Sequence, residues 1–149
     1  MIKENILSVL SEFKIDCNIL IAQDYLNLYQ TVFKKFTNGI DKFPFWENIN
    51  DSESVQRQDG WLLISDFINN EKVILFLDKR TEKFGVLLKG GKDLNTLLSN
   101  TFNFVFYITN ESFDYLLCFN EHDFLIGTGK AKAWLIDFKR FTASQSPPR

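Results

Sequence analysis

Histidine occurs once in this chain, at His122, and cysteine twice, at Cys17 and Cys118. A zinc site needs several histidine, cysteine or carboxylate ligands converging on one point. One histidine and two cysteines that form no CxxC pair leave no zinc pattern to read. No DxDxDG-type spacing marks a calcium loop, and no GxSxG marks a serine nucleophile. Basic charge is also short: 17 Lys and Arg stand against 19 Asp and Glu, for a net charge of −2. A general nucleic-acid binder needs a concentrated basic patch to displace counterions from phosphate, so nucleic acid is not an expected partner. No apolar run approaches the ~18 residues of a membrane span, so no membrane partner is expected either. The start MIKENILSVLSEF places Lys3 and Glu4 early and then shows helical periodicity, unlike the continuous apolar block of a signal peptide. The expected address is cytoplasmic. In that reducing compartment Cys17 and Cys118 read most simply as buried free thiols, although spacing alone leaves a disulfide open.

What is abundant is phenylalanine, with 16 residues. Each buried Phe contributes roughly 1.5–3 kcal/mol relative to exposure, so a bulky aromatic core follows. Hydrophobic residues at 45% and charged residues at 24% are ordinary globular values and exclude wholesale disorder.

Periodicity assigns the elements. Ile2, Ile6, Leu10 and Phe13 predict a first amphipathic helix. Tyr25, Leu28, Tyr29, Val32, Phe33 and Phe36 predict a second, stopped by Asn38-Gly39. Residues 15–21 are mixed. Residues 40–60 read as a connection, broken by Pro44 and anchored by Phe43, Phe45 and Trp46. Asp51, Glu53 and Asp59 make this segment acidic, which fits a solvated loop or an acidic partner-binding loop. WLLISDF (Trp61–Phe67) and KVILFLD (Lys72–Asp78) read as two strands of a hairpin turning at Asn69-Asn70. Their near-continuous apolar character suggests a central position with helices on one side. Phe84–Lys89 is a further strand, and Asp93 a candidate N-cap for a helix carrying Leu94, Leu97 and Leu98. The stretch from Phe102 to Gly129 reads as three strands joined by the turns Asn110-Glu111-Ser112 and Asn120-Glu121-His122. Ala131, Trp134, Leu135 and Phe138 space a last helix, and residues 142–149 read as a loose tail.

The expected architecture is one α+β domain over residues 1–141. An antiparallel sheet of about five or six strands, from Trp61–Lys89 and Asn103–Thr128, packs against N-terminal, middle and C-terminal helices. Candidate chemistry is sparse. Glu121, His122 and Asp123 can in principle move protons, but Asn, Asp and His are also ordinary turn residues. Cys118 and His122 straddle a strand end, too far apart for a nucleophile and its base if extended. The glycine pairs in Lys89-Gly90-Gly91-Lys92 and Gly127-Thr128-Gly129-Lys130 each precede a helix and match no phosphate-loop pattern, so backbone turns explain them. Trp46, on the irregular connection, is the best placed of the three tryptophans to meet a partner. No catalytic, metal or cofactor site is expected.

The segment FVFYITNESFDYLLCFNEHDFLIGTG resembles small bacterial immunity proteins. It is similar to antitoxins paired with LXG-type or contact-dependent polymorphic toxins and, more distantly, to the SUKH immunity superfamily. The residues that carry the likeness are Tyr107, Ile108, Phe113, Tyr115, Leu116, Leu117, Cys118, Asn120, His122, Asp123 and Gly129. The resemblance covers roughly the last half of the chain. It implies stoichiometric inhibition of a cognate toxin domain without catalysis. The residues expected to meet that partner are Trp46, Asp51, Glu53 and Asp59 of the connection with Glu121, His122 and Asp123 of the turn. The alternative class is a small ligand-binding or regulatory module with a pocket between sheet and helices. The enzyme reading would rest on Glu121, His122 and Asp123.

Overall fold

A computed structural model describes residues 1–101 and 103–144 of the chain. Helix α1 (Ile2–Glu12) turns Ile6, Val9 and Leu10 inward. Strand β1 (Cys17–Leu20) follows, then helix α2 (Ala22–Phe36), which buries Tyr25, Leu28, Tyr29, Val32 and Phe36 as their spacing requires. A connection with one 3-10 turn (Phe45–Asn48) leads to strand β2 (Glu53–Gln56) and helix α3 (Gly60–Ile68). Strands β3 (Val73–Phe76) and β4 (Gly85–Leu88) pair with each other, and helix α4 (Gly91–Ser99) follows. Strands β5 (Phe106–Thr109), β6 (Tyr115–Phe119) and β7 (Phe124–Gly129) form a meander, and helix α5 (Lys130–Ser144) closes the order. Among the described residues no helix is long and apolar enough to cross a membrane.

The class is α+β, as the sequence implies, with an antiparallel sheet of seven strands in the order β1-β4-β3-β5-β6-β7-β2. Period-two alternation divides the core between its faces. Val73, Leu75, Val86, Ile108, Leu117 and Leu125 face one side, where α1, α3, α4 and α5 pack. Ile74, Phe76, Tyr107, Leu116, Cys118 and Ile126 face the other, covered by α2 and by Phe45 of the connection. Helices therefore cover both faces, not one. This explains why β3, β5 and β6 read as unbroken apolar runs: all their residues are buried.

Several further sequence readings differ from the structure. Trp61–Phe67 is a helix, so the hairpin it would have formed does not exist. An unbroken apolar run fixes no period, and β3 already has β4 and β5 as neighbours. The segment instead buries Gly60, Ile64 and Ile68 at helical spacing and leaves Leu62 43% exposed. Asn69 does take a positive φ, of 59°, but it ends α3. The two additional strands, β1 and β2, lie at the sheet edges in segments read as mixed or as connection. Both are four residues long, too short to print an alternation, and they form because β4 and β7 offer unpaired edges. The middle helix begins after Gly90, with Asp93 inside its first turn rather than capping it. Helix α5 continues through Ser144, into the stretch expected as a tail. Phe102 and residues 145–149 lie outside the described residues.

The glycines before α4 and α5 serve the backbone in two ways. Gly129 holds φ +65°, and a Cβ there would come 2.4 Å from the Asp114 carbonyl oxygen. At Gly91 a Cβ would meet the Ser65 carbonyl oxygen at 2.9 Å, so this glycine lets α4 cross close over α3.

Candidate functional site

The connection after α2 is an ordered strap across the sheet face that α2 also covers. Asn50 donates its N–H to the Phe36 carbonyl (3.0 Å), and Asn48 donates its side-chain amide to the Lys42 carbonyl (2.7 Å). The Phe43-Pro44 peptide is cis. Two successive main-chain N–H groups then pin the 3-10 turn to the sheet. Phe45 donates to Asp78 Oδ2 (2.9 Å), and Trp46 donates to the Tyr107 hydroxyl (3.0 Å). Asp78 is 4% exposed, beyond the end of β3. Its carboxylate also accepts from the Arg80 backbone N–H (2.9 Å) and Nε (3.0 Å). A carboxylate this buried is tolerable because donors and a guanidinium surround it. Arg80 also pairs with Asp41 at 3.2 Å and lies over the Phe43 ring, 5.8 Å from its centroid.

The turn between β6 and β7 is built by Asn120, which is 3% exposed. Its Oδ1 accepts from the N–H groups of His122 (3.0 Å) and Phe124 (3.1 Å). Asp123 then takes φ +62°. The turn between β5 and β6 repeats this chemistry. Asn110 Oδ1 accepts from the Asp114 N–H at 2.9 Å, and Phe113 takes φ +54°. Asx-type bonding of this kind is why asparagine opens both turns.

Strap and turn meet. Phe43, Trp46, Glu47, Tyr107, Glu121 and His122 line a cavity of about 340 Å³ that also reaches Asp78. Trp46 and His122 are in edge contact, with ring centroids 6.1 Å apart and planes at 80°. His122 Nε2 lies 3.4 Å from Glu121 Oε1, and both side chains are more than half exposed. Phe43 is 63% exposed at the mouth, while Tyr107 is fully buried at the back. Burial pushes the Tyr107 hydroxyl far above the usual phenol range, so it remains a neutral hydrogen-bonding group. The Trp46 indole N–H is buried without a hydrogen-bond partner.

The other expected contact residues stand apart from this cavity. Asp51 is ion-paired with Lys132, Glu53 with Lys139 at 2.5 Å, and Asp59 with Arg57 at 2.8 Å. The hydrogen bond from Lys139 draws the Glu53 carboxyl below its ordinary value, and the one from Arg57 does the same for Asp59. Asp51 and Glu53 thus secure α5 to the β2 edge. Asp123 lines a different depression, of about 600 Å³, beside Trp61, Phe104 and Phe119.

Both cysteines are free. Cys17 is half-buried and packs against the core on one sheet face, while Cys118 sits in the core of the other, which is why they form no disulfide. Cys118 is wholly buried, and its thiol is pushed well up by burial, unlike an activated nucleophile. Among the described residues no group of three or more His, Cys, Asp or Glu side chains is placed to hold a metal ion.

Sequence reasoning singled out Trp46, Glu121 and His122 but not their joining. Phe43 read only as a core anchor, Tyr107 only as a carrier of the family likeness, and Glu47 and Asp78 had no role. An acidic residue directly ending an apolar strand, as in LFLD, was the available signal for Asp78. Comparison with protein-family models, curated proteins and solved structures returned no match.

Proposed function

We propose that this protein is an immunity protein that binds a cognate bacterial toxin domain and neutralises it by stoichiometric inhibition. The observation that carries the reading is the convergence of Phe43, Trp46, Glu121 and His122 on one partly open cavity. Phe43 is exposed and Trp46 half-buried at this pocket, and aromatic side chains of this kind are the usual anchors of a protein interface, where a few side chains carry most of the affinity. The strap is rigidly bonded to the sheet, so little ordering cost accompanies docking. The sequence resemblance supplies the class of partner, and the cavity supplies the surface.

The experiment is co-expression with candidate toxin domains, scored by cell survival and by co-purification. Trp46→Ala should weaken binding by about 2 kcal/mol or more, the size of a hot-spot truncation. Asp51→Asn and Glu53→Gln should leave binding nearly unchanged, because those carboxylates serve α5. Absence of any bound or neutralised toxin domain, or full protection by the Trp46 variant, would overturn the proposal.

A second reading is favoured by the same cavity. Its volume of about 340 Å³ falls within the range of small-molecule sites, roughly 300–1,000 Å³. A small molecule retained through purification and released by denaturation, detected by native mass spectrometry, is the outcome this reading expects.

A further inference from the structure

We infer that the Trp46 cavity receives a basic side chain, arginine or lysine, presented by the protein partner. The inference deepens the proposed function and rests on its assignment of this face as the partner surface. The walls are aromatic, with Phe43, Trp46 and Tyr107 on the lining. The charged groups on the lining are acidic apart from His122: Glu47, Asp78 and Glu121. Asp78 is already matched, since Arg80 holds it. Arg80 and Lys79 share Asp41, so two cations and the two carboxylates Asp41 and Asp78 balance on that side. Arg80 already lies over the Phe43 ring, which leaves Trp46 as the aromatic wall for an incoming cation. Among the described residues the one ion-pair partner of Glu121 is His122, and Glu47 makes no ion pair.

This differs from the rest of the acidic connection, where Asp51, Glu53 and Asp59 are each neutralised by a lysine or arginine. Aromatic faces attract cations through their quadrupole, and a half-enclosed site strengthens that attraction by removing water. Two carboxylates beside an indole therefore favour a cationic occupant over a neutral or acidic one. An anionic side chain would meet Glu47 and Glu121 with like charge, and an aliphatic one would desolvate them without compensation.

The test uses the full chain with small probes and no toxin. Nα-acetyl-arginine amide and Nα-acetyl-lysine amide are titrated against the ¹⁵N-labelled protein. Nα-acetyl-citrulline amide serves as the neutral isostere of arginine. The readouts are the Trp46 indole N–H resonance, assigned with Trp46→Phe, and the His122 amide. The basic probes should shift both resonances saturably, and citrulline should bind about tenfold more weakly, the factor a cation–π and ion-pair contribution supplies. The double variant Glu47→Gln/Glu121→Gln should lose a similar factor. Its remaining resonances, unchanged, report an intact fold. Equal binding of citrulline, no saturable shift of the two resonances, or undiminished binding by the double variant would each overturn the inference. Failure here with toxin neutralisation intact removes the basic-side-chain site alone. Probe binding without any neutralised toxin removes the immunity reading and leaves the site.

Discussion

Asn120 places the functional turn. Two main-chain N–H groups end on its side-chain oxygen, and the residue is almost wholly buried. Asn120→Ala removes both bonds and should cost about 1–3 kcal/mol of stability, measured by urea unfolding. The same variant should broaden the Trp46–His122 contact, seen as a loss of nuclear Overhauser effects between the two rings. An unchanged denaturation midpoint would show that the turn is held by the strands alone. This part of the site was legible beforehand: Asn-Glu-His-Asp between two apolar runs names a turn with its mechanism. The partnership of Trp46 with His122 was not legible, because the two are far apart in sequence and nothing local connects them. Cys118 and His122 show the converse. They are close in sequence, yet one faces the core and the other solvent.

At the scale of elements, α3 decides how the apolar runs were to be read. As a strand, Leu62 and Ile64 would point to the same face; as a helix they diverge by roughly 200°. Ile64 is fully buried and Leu62 is 43% exposed. Ile64→Ala should therefore cost about 2–5 kcal/mol, while Leu62→Ser should stay within about 0.5 kcal/mol. Comparable losses at both positions in chemical denaturation would contradict the helical assignment. The long amphipathic helices were readable because their stripes run over several turns. α2 shows this best, with an apolar face at every expected position and Lys34 and Lys35 in its last turn, where the helix dipole favours them. β1 and β2 were not readable. Each has four residues and owes its conformation to the edge it completes.

Across the whole molecule, four tyrosines couple the fold to pH. Burial raises the hydroxyls of Tyr25, Tyr29, Tyr107 and Tyr115 above their ordinary value of 10.0. The folded state thus favours the protonated form. Its contribution to stability is fully present below pH ~10, the unfolded value, and is lost as pH rises above it. Tyrosinate absorbance should appear only together with loss of secondary structure in an alkaline titration followed by ultraviolet absorbance and circular dichroism. Ionisation of any of the four in a chain whose circular dichroism is unchanged would contradict this. The sequence by itself determined the α+β class, the amphipathic helices, the strands of the meander and the chemistry of its two turns, because each depends on near neighbours and a local period. Only the tertiary structure decided the rest: helices on both sheet faces, the edge strands, the helical state of Trp61–Phe67, and a site at Trp46 shared by strap and turn. Those outcomes depend on which edges and faces remain open once the central strands have paired, and that is a property of the assembled sheet.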